Sequence, residues 1–261
     1  MKVISVINQK GGVGKTTTVG ALAAVLKENE KKVCVIDLDQ QRNLSIYYGL
    51  KNEADLENSA ADIFLTSEEI KITDMVYETP QGDIIPASEN LAMVDTSTVN
   101  DLDRPVKLRA ALQELANYYD YILIDTPPSL GIIAINALTA SNYAVIPTEA
   151  GAFSMAGIVQ VNKTIETVRK HTNPALTVAG VLITKYQKNT RAQAAMKEYI
   201  DQLSEAYKHY IFKATIRNTI TIGETQIQNV SLTDYAATNE VTNDYRQFTK
   251  ELLGQIELGE K

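Results

Sequence analysis

Five short runs of apolar residues recur along the chain, rich in β-branched side chains and carrying polar residues at their ends. They are "KVISVIN" at 2–8, "KVCVIDLD" at 32–39, "DYILIDTPPS" at 120–129, "NYAVIPTEA" at 142–150 and "TVAGVLITKY" at 177–186. Apolar residues follow one another within them with little alternation, the pattern of strands buried on both faces. The segments between have a different period. "TTTVGALAAVLKENE" puts Val19, Leu22, Ala23 and Leu26 on one helical face. Similar spacing marks "PVKLRAALQELANYY", "SMAGIVQVNKTIETVRKH", "TRAQAAMKEYIDQLSEAY" and "NDYRQFTKELLGQI". Strands that alternate with helices predict an α/β fold, a mostly parallel twisted sheet flanked by helices on both faces. No linker, repeat or low-complexity stretch interrupts the pattern, so residues 1–261 are expected to form one domain.

Sheets of this kind bind ligands beyond the carboxyl ends of their strands. The residues able to do chemistry gather there. "NQKGGVGKTT" at 8–17 follows the first strand, and Gly14-Lys15-Thr16 complete the phosphate-loop pattern G-x-x-x-x-G-K-[ST], with Gln9 at the opening glycine. Gly11, Gly12 and Gly14 let backbone N–H groups, those of Val13 and Thr17 included, turn toward phosphate oxygens, and the next helix adds its positive dipole end. Lys15 is expected on the β- and γ-phosphates and the Thr16 hydroxyl on Mg²⁺. Asp125 closes "YILID" as the acid that holds the Mg²⁺ shell through water, and the prolines of "TPPSLG" stiffen the segment after it. In "DLDQQRN", Asp39 is placed to orient the attacking water and Asp37 to support the metal. Either could instead cap a helix. Lys10 is one lysine more than such a loop needs.

Charge and cysteine content narrow the setting. A net charge of −7 argues against a dedicated nucleic-acid binder. The charge is unevenly spread, however. Residues 37–103 hold 15 Asp or Glu against 3 Lys or Arg, while residues 185–217 hold 7 Lys or Arg against 3 acids, so one surface can be locally basic. Cys34, the one cysteine, lies in an apolar strand and reads as a buried thiol, consistent with a reducing cytoplasm. The start shows no secretory signal and no run of about 18 apolar residues exists. A cytoplasmic protein is expected.

"KGGVGKTT", "DLDQQRN", "DTPPSLGIIAINAL" and "IRNTITIGET" together resemble the ParA/Soj group of deviant Walker A ATPases, relatives of MinD. The resemblance runs over nearly the whole chain and implies a P-loop NTPase fold with ATP and Mg²⁺ as ligands. It also gives Lys10 a role, reaching across a dimer interface to the nucleotide of the other subunit, with two ATP molecules sandwiched in a homodimer. Basal hydrolysis is then expected to be weak. Asn218, beside Arg217, matches the family's adenine-reading asparagine, though Ile216 replaces the usual proline before the pair. Such relatives coat DNA non-specifically as ATP dimers, so the chain would associate with the nucleoid when ATP-bound. A ParB-like partner stimulates their hydrolysis, and the cycle segregates plasmids or chromosomes. Arg191 lies 26 residues before Arg217, the spacing of one DNA-contacting arginine of the family, whereas a second falls at Ile220. Lys185, Lys188, Lys197 and Lys213 could supply phosphate contacts beside Arg191. No helix-turn-helix extension precedes the first strand, so operator-specific binding is not expected.

Two other classes compete. A MinD-like ATPase positioned on a membrane wants a basic amphipathic tail, but the tail from Asp244 carries 4 acids against 3 bases. No membrane contact is expected. A P-loop ligase or small-molecule kinase needs a second substrate pocket, and no further residue cluster marks one.

Overall fold

The computed structural model describes residues 1–66, 70–149, 154–187, 202, 207 and 209–259. In chain order the elements are β1 (Lys2–Val6), α1 (Lys15–Glu28), β2 (Val33–Asp37), α2 (Asn43–Tyr47), α3 (Asp62–Leu65), β3 (Tyr77–Thr79), β4 (Gly82–Ile85) and α4 (Val94–Ser97). There follow α5 (Lys107–Leu112), β5 (Tyr121–Asp125), α6 (Ile132–Ala140), β6 (Tyr143–Glu149), α7 (Ser154–His171), β7 (Thr177–Tyr186) and β8 (Ile211–Arg217). The chain closes with α8 (Thr221–Gln228), α9 (Leu232–Tyr235) and α10 (Glu240–Gly259).

The eight strands form one sheet in the order β3-β4-β2-β5-β1-β6-β7-β8, parallel throughout except for the β3–β4 edge hairpin. Alternate residues of each strand enter opposite layers. Ile4 and Val6 of β1 face α1 and α10, with Leu22, Leu26, Tyr245, Phe248 and Leu252. Val3 meets the layer of α5 and α6, with Leu108, Leu112 and Ile133, while Ile7 meets α7 through Ile158, Val161 and Ile165. Burial of each such Leu or Ile contributes about 1.5–3 kcal/mol. This two-sided burial is why the central strands read as unbroken apolar runs.

Several elements differ from the sequence expectation. The edge hairpin β3–β4, strand β8 and helix α8 carry Thr, Gln, Gly or charged residues that break the apolar pattern, while α6 (IIAINALTA) is apolar almost all round and shows no one-sided period. The helix expected over 105–119 stops at Leu112 and tightens into a 3₁₀ turn at Gln113–Leu115. The helix expected at 190–207 lies outside the described residues except for Gln202 and Tyr207. Helix α1 ends at Glu28 because Glu30 turns left-handed (φ 58°), closing the helix with Glu30 N–H on the Lys27 carbonyl and Lys31 N–H on that of Leu26. Among the described residues no helix is long and apolar enough to cross a membrane.

Helix α1 approaches α2 closely at Gly20. A Cβ built there would stand 2.7 Å from Tyr47 Cε1, and Tyr47 is itself buried with its hydroxyl on the Val230 carbonyl. The ring would have to break that bond to shift toward the cleft it lines. Gly20→Ala is expected to cost about 1–3 kcal/mol through overpacking, which lowers the thermal midpoint by about 2–4 °C for each kcal/mol in a chain of this size. An unchanged midpoint in a thermal melt would show that α1 and α2 can part freely.

Candidate functional site

Strand β1 delivers the chain to a loop whose shape is set by two glycines. Gly12 and Gly14 have φ of 74° and 87°, in the left-handed region where a side chain would be strained. Gly14 precedes α1 with no side-chain cap, and the first turn carries no acid. The N–H groups at the start of α1 therefore keep their donors and dipole for an anion. Loop residues Gly11, Gly12, Gly14, Lys15, Thr16 and Thr17 line a cleft of about 600 Å³ with Asp39, Pro128 and Lys185. Val13 is fully buried and can offer only its N–H, since its carbonyl accepts from Thr184 Oγ1 at 2.8 Å. Asn8 anchors the loop from the other side, donating to the Pro147 carbonyl at 2.7 Å and accepting from Lys10 N at 3.0 Å.

Lys15 is buried, and its ammonium donates to the Lys10 carbonyl at 3.3 Å. Burial lowers its pKa, opposed by the charges of Asp125 and Asp39. Asp37 and Asp125 stand side by side in register at the ends of β2 and β5. Asp125 is fully buried, and neither carboxylate oxygen has a hydrogen-bond partner of ordinary geometry. Its pKa is raised well above the usual range by burial and then by Asp37, while Thr16 and Lys15 favour the charged form. An orphaned carboxylate beside the Thr16 hydroxyl is a donor set that fits a hard cation such as Mg²⁺ and its water shell. No cluster of three or more metal-ligating residues occurs among the described residues, so most of that shell would come from water and phosphate.

Asp37 has a different engagement from the metal support expected of it. Its Oδ1 accepts from Asp39 N at 3.1 Å and its Oδ2 accepts from Ser45 N at 2.9 Å and Ser45 Oγ at 2.7 Å. It thus holds the first turn of α2 from the end of β2, while the N-cap position of that helix is Arg42, without a side-chain cap bond. Burial pushes its pKa up to about 6, against the Ser45 bonds. Asp39 is lodged in the cleft wall with Oδ1 accepting from Gln41 N at 3.0 Å. Arg42 supports this turn in a left-handed conformation (φ 58°), at a cost of about 1–2 kcal/mol. Bonds from its guanidinium to the carbonyls of Ala87 (3.1 Å) and Leu50 (3.0 Å) offset that strain.

Lys10 and Lys185 meet at one carboxylate. Lys10 Nζ donates to Glu149 Oε2 at 2.9 Å, and Lys185 Nζ lies 2.7 Å from Glu149 Oε1. Lys185, a candidate for DNA phosphate contact, lines the cleft wall with its side chain half-exposed. Lys213 is exposed on β8 with its N–H on Glu251, away from that cleft, and Lys188, Arg191 and Lys197 lie outside the described residues. Ile220 is 80% exposed. The Arg217 guanidinium forks onto Asp244 (2.6 and 2.9 Å) and reaches Glu240, tying β8 to α10. With Asn218, Tyr186, Gln187 and Thr215 it lines a second cleft of about 340 Å³. Sequence reading missed Asn8, Ser45, Glu149 and Thr184. Their common signal, apart from Ser45, is a polar residue at the carboxyl end of a buried strand.

The family model described as "AAA domain" matches residues 1–178. The "Sporulation initiation inhibitor protein Soj" of Bacillus subtilis is 33% identical over 253 residues, covering 96% of this chain and 98% of that protein. The "Chromosome partitioning protein ParA" of Myxococcus xanthus is 32% identical over 223 residues, 85% of this chain and 77% of its own length. Among solved structures, cobyrinic acid a,c-diamide synthase of Mycobacterium smegmatis with bound ADP and magnesium superposes with a TM-score of 0.85. It is 28% identical, covering 99% of this chain and 96% of that one. A phosphate loop with a second lysine, an orphaned strand-end aspartate and full-length similarity to Soj converge: the chain belongs to the Soj/ParA family of P-loop ATPases.

Proposed function

We propose that this chain is a ParA-type ATPase that dimerises on ATP and binds DNA non-specifically as the ATP dimer. Stimulated by a ParB-like centromere-binding partner, it segregates or positions plasmid or chromosomal DNA. The observation that carries the nucleotide reading is Asp125, buried and unpartnered beside Thr16 at the mouth of the glycine loop.

Each residue then has a task. N–H groups of 11–17 cradle the phosphates, and Lys15 adds a desolvated positive charge at the β- and γ-phosphates. Thr16 and Asp125 hold Mg²⁺ and its water, which when bound supplies positive charge to the phosphate oxygens. Asp39 orients the attacking water, on a turn that Asp37 fixes through Ser45. Asn218, whose amide both donates and accepts, reads adenine in the second cleft. Lys10 acts in trans, placing its charge on the partner's phosphates only when two chains meet, as an arginine finger does. Hydrolysis is therefore slow in the lone chain and limits the lifetime of the pair. The likeness to a diamide synthase favours a small-molecule ligase as the second reading.

A carboxyl whose pKa is raised by folding binds protons more readily folded than unfolded, so its contribution is largest at low pH and is lost as pH rises through the folded value. For Asp37 that window runs from 3.8 to about 6; Asp125 shifts in the same direction. Without ligand, Asp125→Asn is expected to raise the thermal midpoint at pH 7, while losing the stabilisation that Mg²⁺-ATP gives the wild type. A variant that melts lower without ligand would mean that Asp125 is neutralised by a partner.

The DNA reading draws support from the relatives' printed role in chromosome partitioning and from the bases of 185–217 other than Lys185 and Arg217, which pair with acids of the chain itself. Binding to a non-specific duplex is to be measured at moderate salt with ATP, with ADP and without nucleotide. Binding with ATP alone, falling steeply as salt rises, is expected. Equal binding in all three states, or none, would move the function to another surface, and turnover of a small molecule in their place would favour the ligase.

A further inference from the structure

The Lys10 ammonium is already engaged within its own chain. Glu149, at the end of β6, takes it at 2.9 Å, and the Lys10 backbone is fixed by Asn8 Oδ1. A lysine so held cannot at the same time lie on the phosphates of a second chain. Burial pushes the Glu149 carboxyl up, but bonds from Lys185 and Lys10 outweigh it and keep the group charged.

Lys185 is brought there by a fault in the sheet. The pairing of β7 with β8 slips between Ile183 and Tyr186, so that three steps on β7 oppose two on β8. Lys185 sits in the slip with φ 53°, a conformation that side-chain-bearing residues rarely adopt. Bulges beside functional clefts re-aim a side chain. Here the re-aimed ammonium reaches Glu149 Oε1 at 2.7 Å and shares the one negative charge with Lys10.

We propose that Glu149 is a latch that holds Lys10 in cis, and that Lys185 sets its strength by competing for the same carboxylate. Both are positioning residues: they act through Lys10. The inference rests on the reading of Lys10 as a trans-acting lysine. When nucleotide and a second chain arrive, Lys10 exchanges Glu149 for phosphate, and Lys185 stays to neutralise the carboxylate left behind. The latch raises the ATP concentration at which pairs form, which keeps lone chains from pairing when ATP is scarce.

The test is the AMP-PNP concentration, with Mg²⁺, at which half the chains sediment as dimers. Glu149→Gln releases Lys10, so the midpoint falls, by about two- to fivefold for a partly exposed ion pair. Lys185→Met removes that competitor from the carboxylate, so the midpoint rises by a similar factor. The double variant matches Glu149→Gln alone, a readout that a merely structural role would not give. An unchanged or raised midpoint in Glu149→Gln overturns the latch. An equal rise on adding Lys185→Met to Glu149→Gln overturns the role of Lys185, putting it on phosphate directly. If Glu149→Gln fails to fold, a midpoint in Lys185→Met that does not rise overturns the latch by itself. Loss of dimers in Lys10→Ala keeps the trans reading whatever the fate of the latch, and undiminished dimers there would remove both.

Discussion

Two aspartates buried side by side with too little positive charge around them set the terms for the rest of the site. Asp37 and Asp125 end adjacent strands in register, and Asp39 lies just beyond. Lys15 is the cation whose charge bears on both Asp125 and Asp39. Burying carboxylates without partners is costly, and protonation or a bound cation relieves it. Asp37 offsets part of that cost by accepting three hydrogen bonds, two of them from Ser45 in α2, though burial still pushes its pKa up to about 6. Asp125 does not. A fully buried, unpartnered Asp125 is a local cost that the apolar burial of a two-faced sheet can tolerate. Nucleotide and metal would remove it, which couples ligand binding to stability.

The same sheet explains how distant segments are assembled around that point. Five of the described strands deliver a polar residue at or near their carboxyl ends: Asn8 after β1, Asp37 on β2, Asp125 on β5, Glu149 on β6 and Thr184 on β7. Asn8 and Thr184 bind the glycine loop to β6 and β7, so the loop is held from two sides and its glycines are left to shape the backbone. Positive charge enters from two further directions, Lys10 from the loop and Lys185 from a bulge, and both end on Glu149. The cleft therefore meets an incoming phosphate with Lys15 in place and Lys10 held back.

Much of this was legible in the chain. The central strands announced themselves because burial on both faces leaves long apolar runs, and Gly14-Lys15-Thr16 and Asp125 stood out by their position after such runs. The edge hairpin did not, because Tyr77–Thr79 and Gly82–Ile85 are short and half polar. Asp37 was open to two readings, and only the position of Ser45 shows that its oxygens are engaged. Lys185 was grouped with its basic neighbours in sequence, whereas its left-handed backbone turns it toward Glu149, 36 residues earlier. Lys10 and Glu149 are 139 residues apart, and no periodicity links them.

In the proposed ATPase each site borrows Lys10 from the other chain. That exchange is tested most directly by ATP hydrolysis in a mixture of Lys10→Ala chains with Asp39→Ala chains. Each variant keeps its phosphate loop and binds ATP, and each alone is expected to hydrolyse poorly. In a mixed pair, the Lys10→Ala chain contributes an intact Asp39 and receives Lys10 from its partner, so one complete site is restored. The mixture is expected to regain hydrolysis that neither variant shows alone. A mixture as inactive as its components, with mixed dimers present, would place Lys10 in its own chain's site and contradict that exchange.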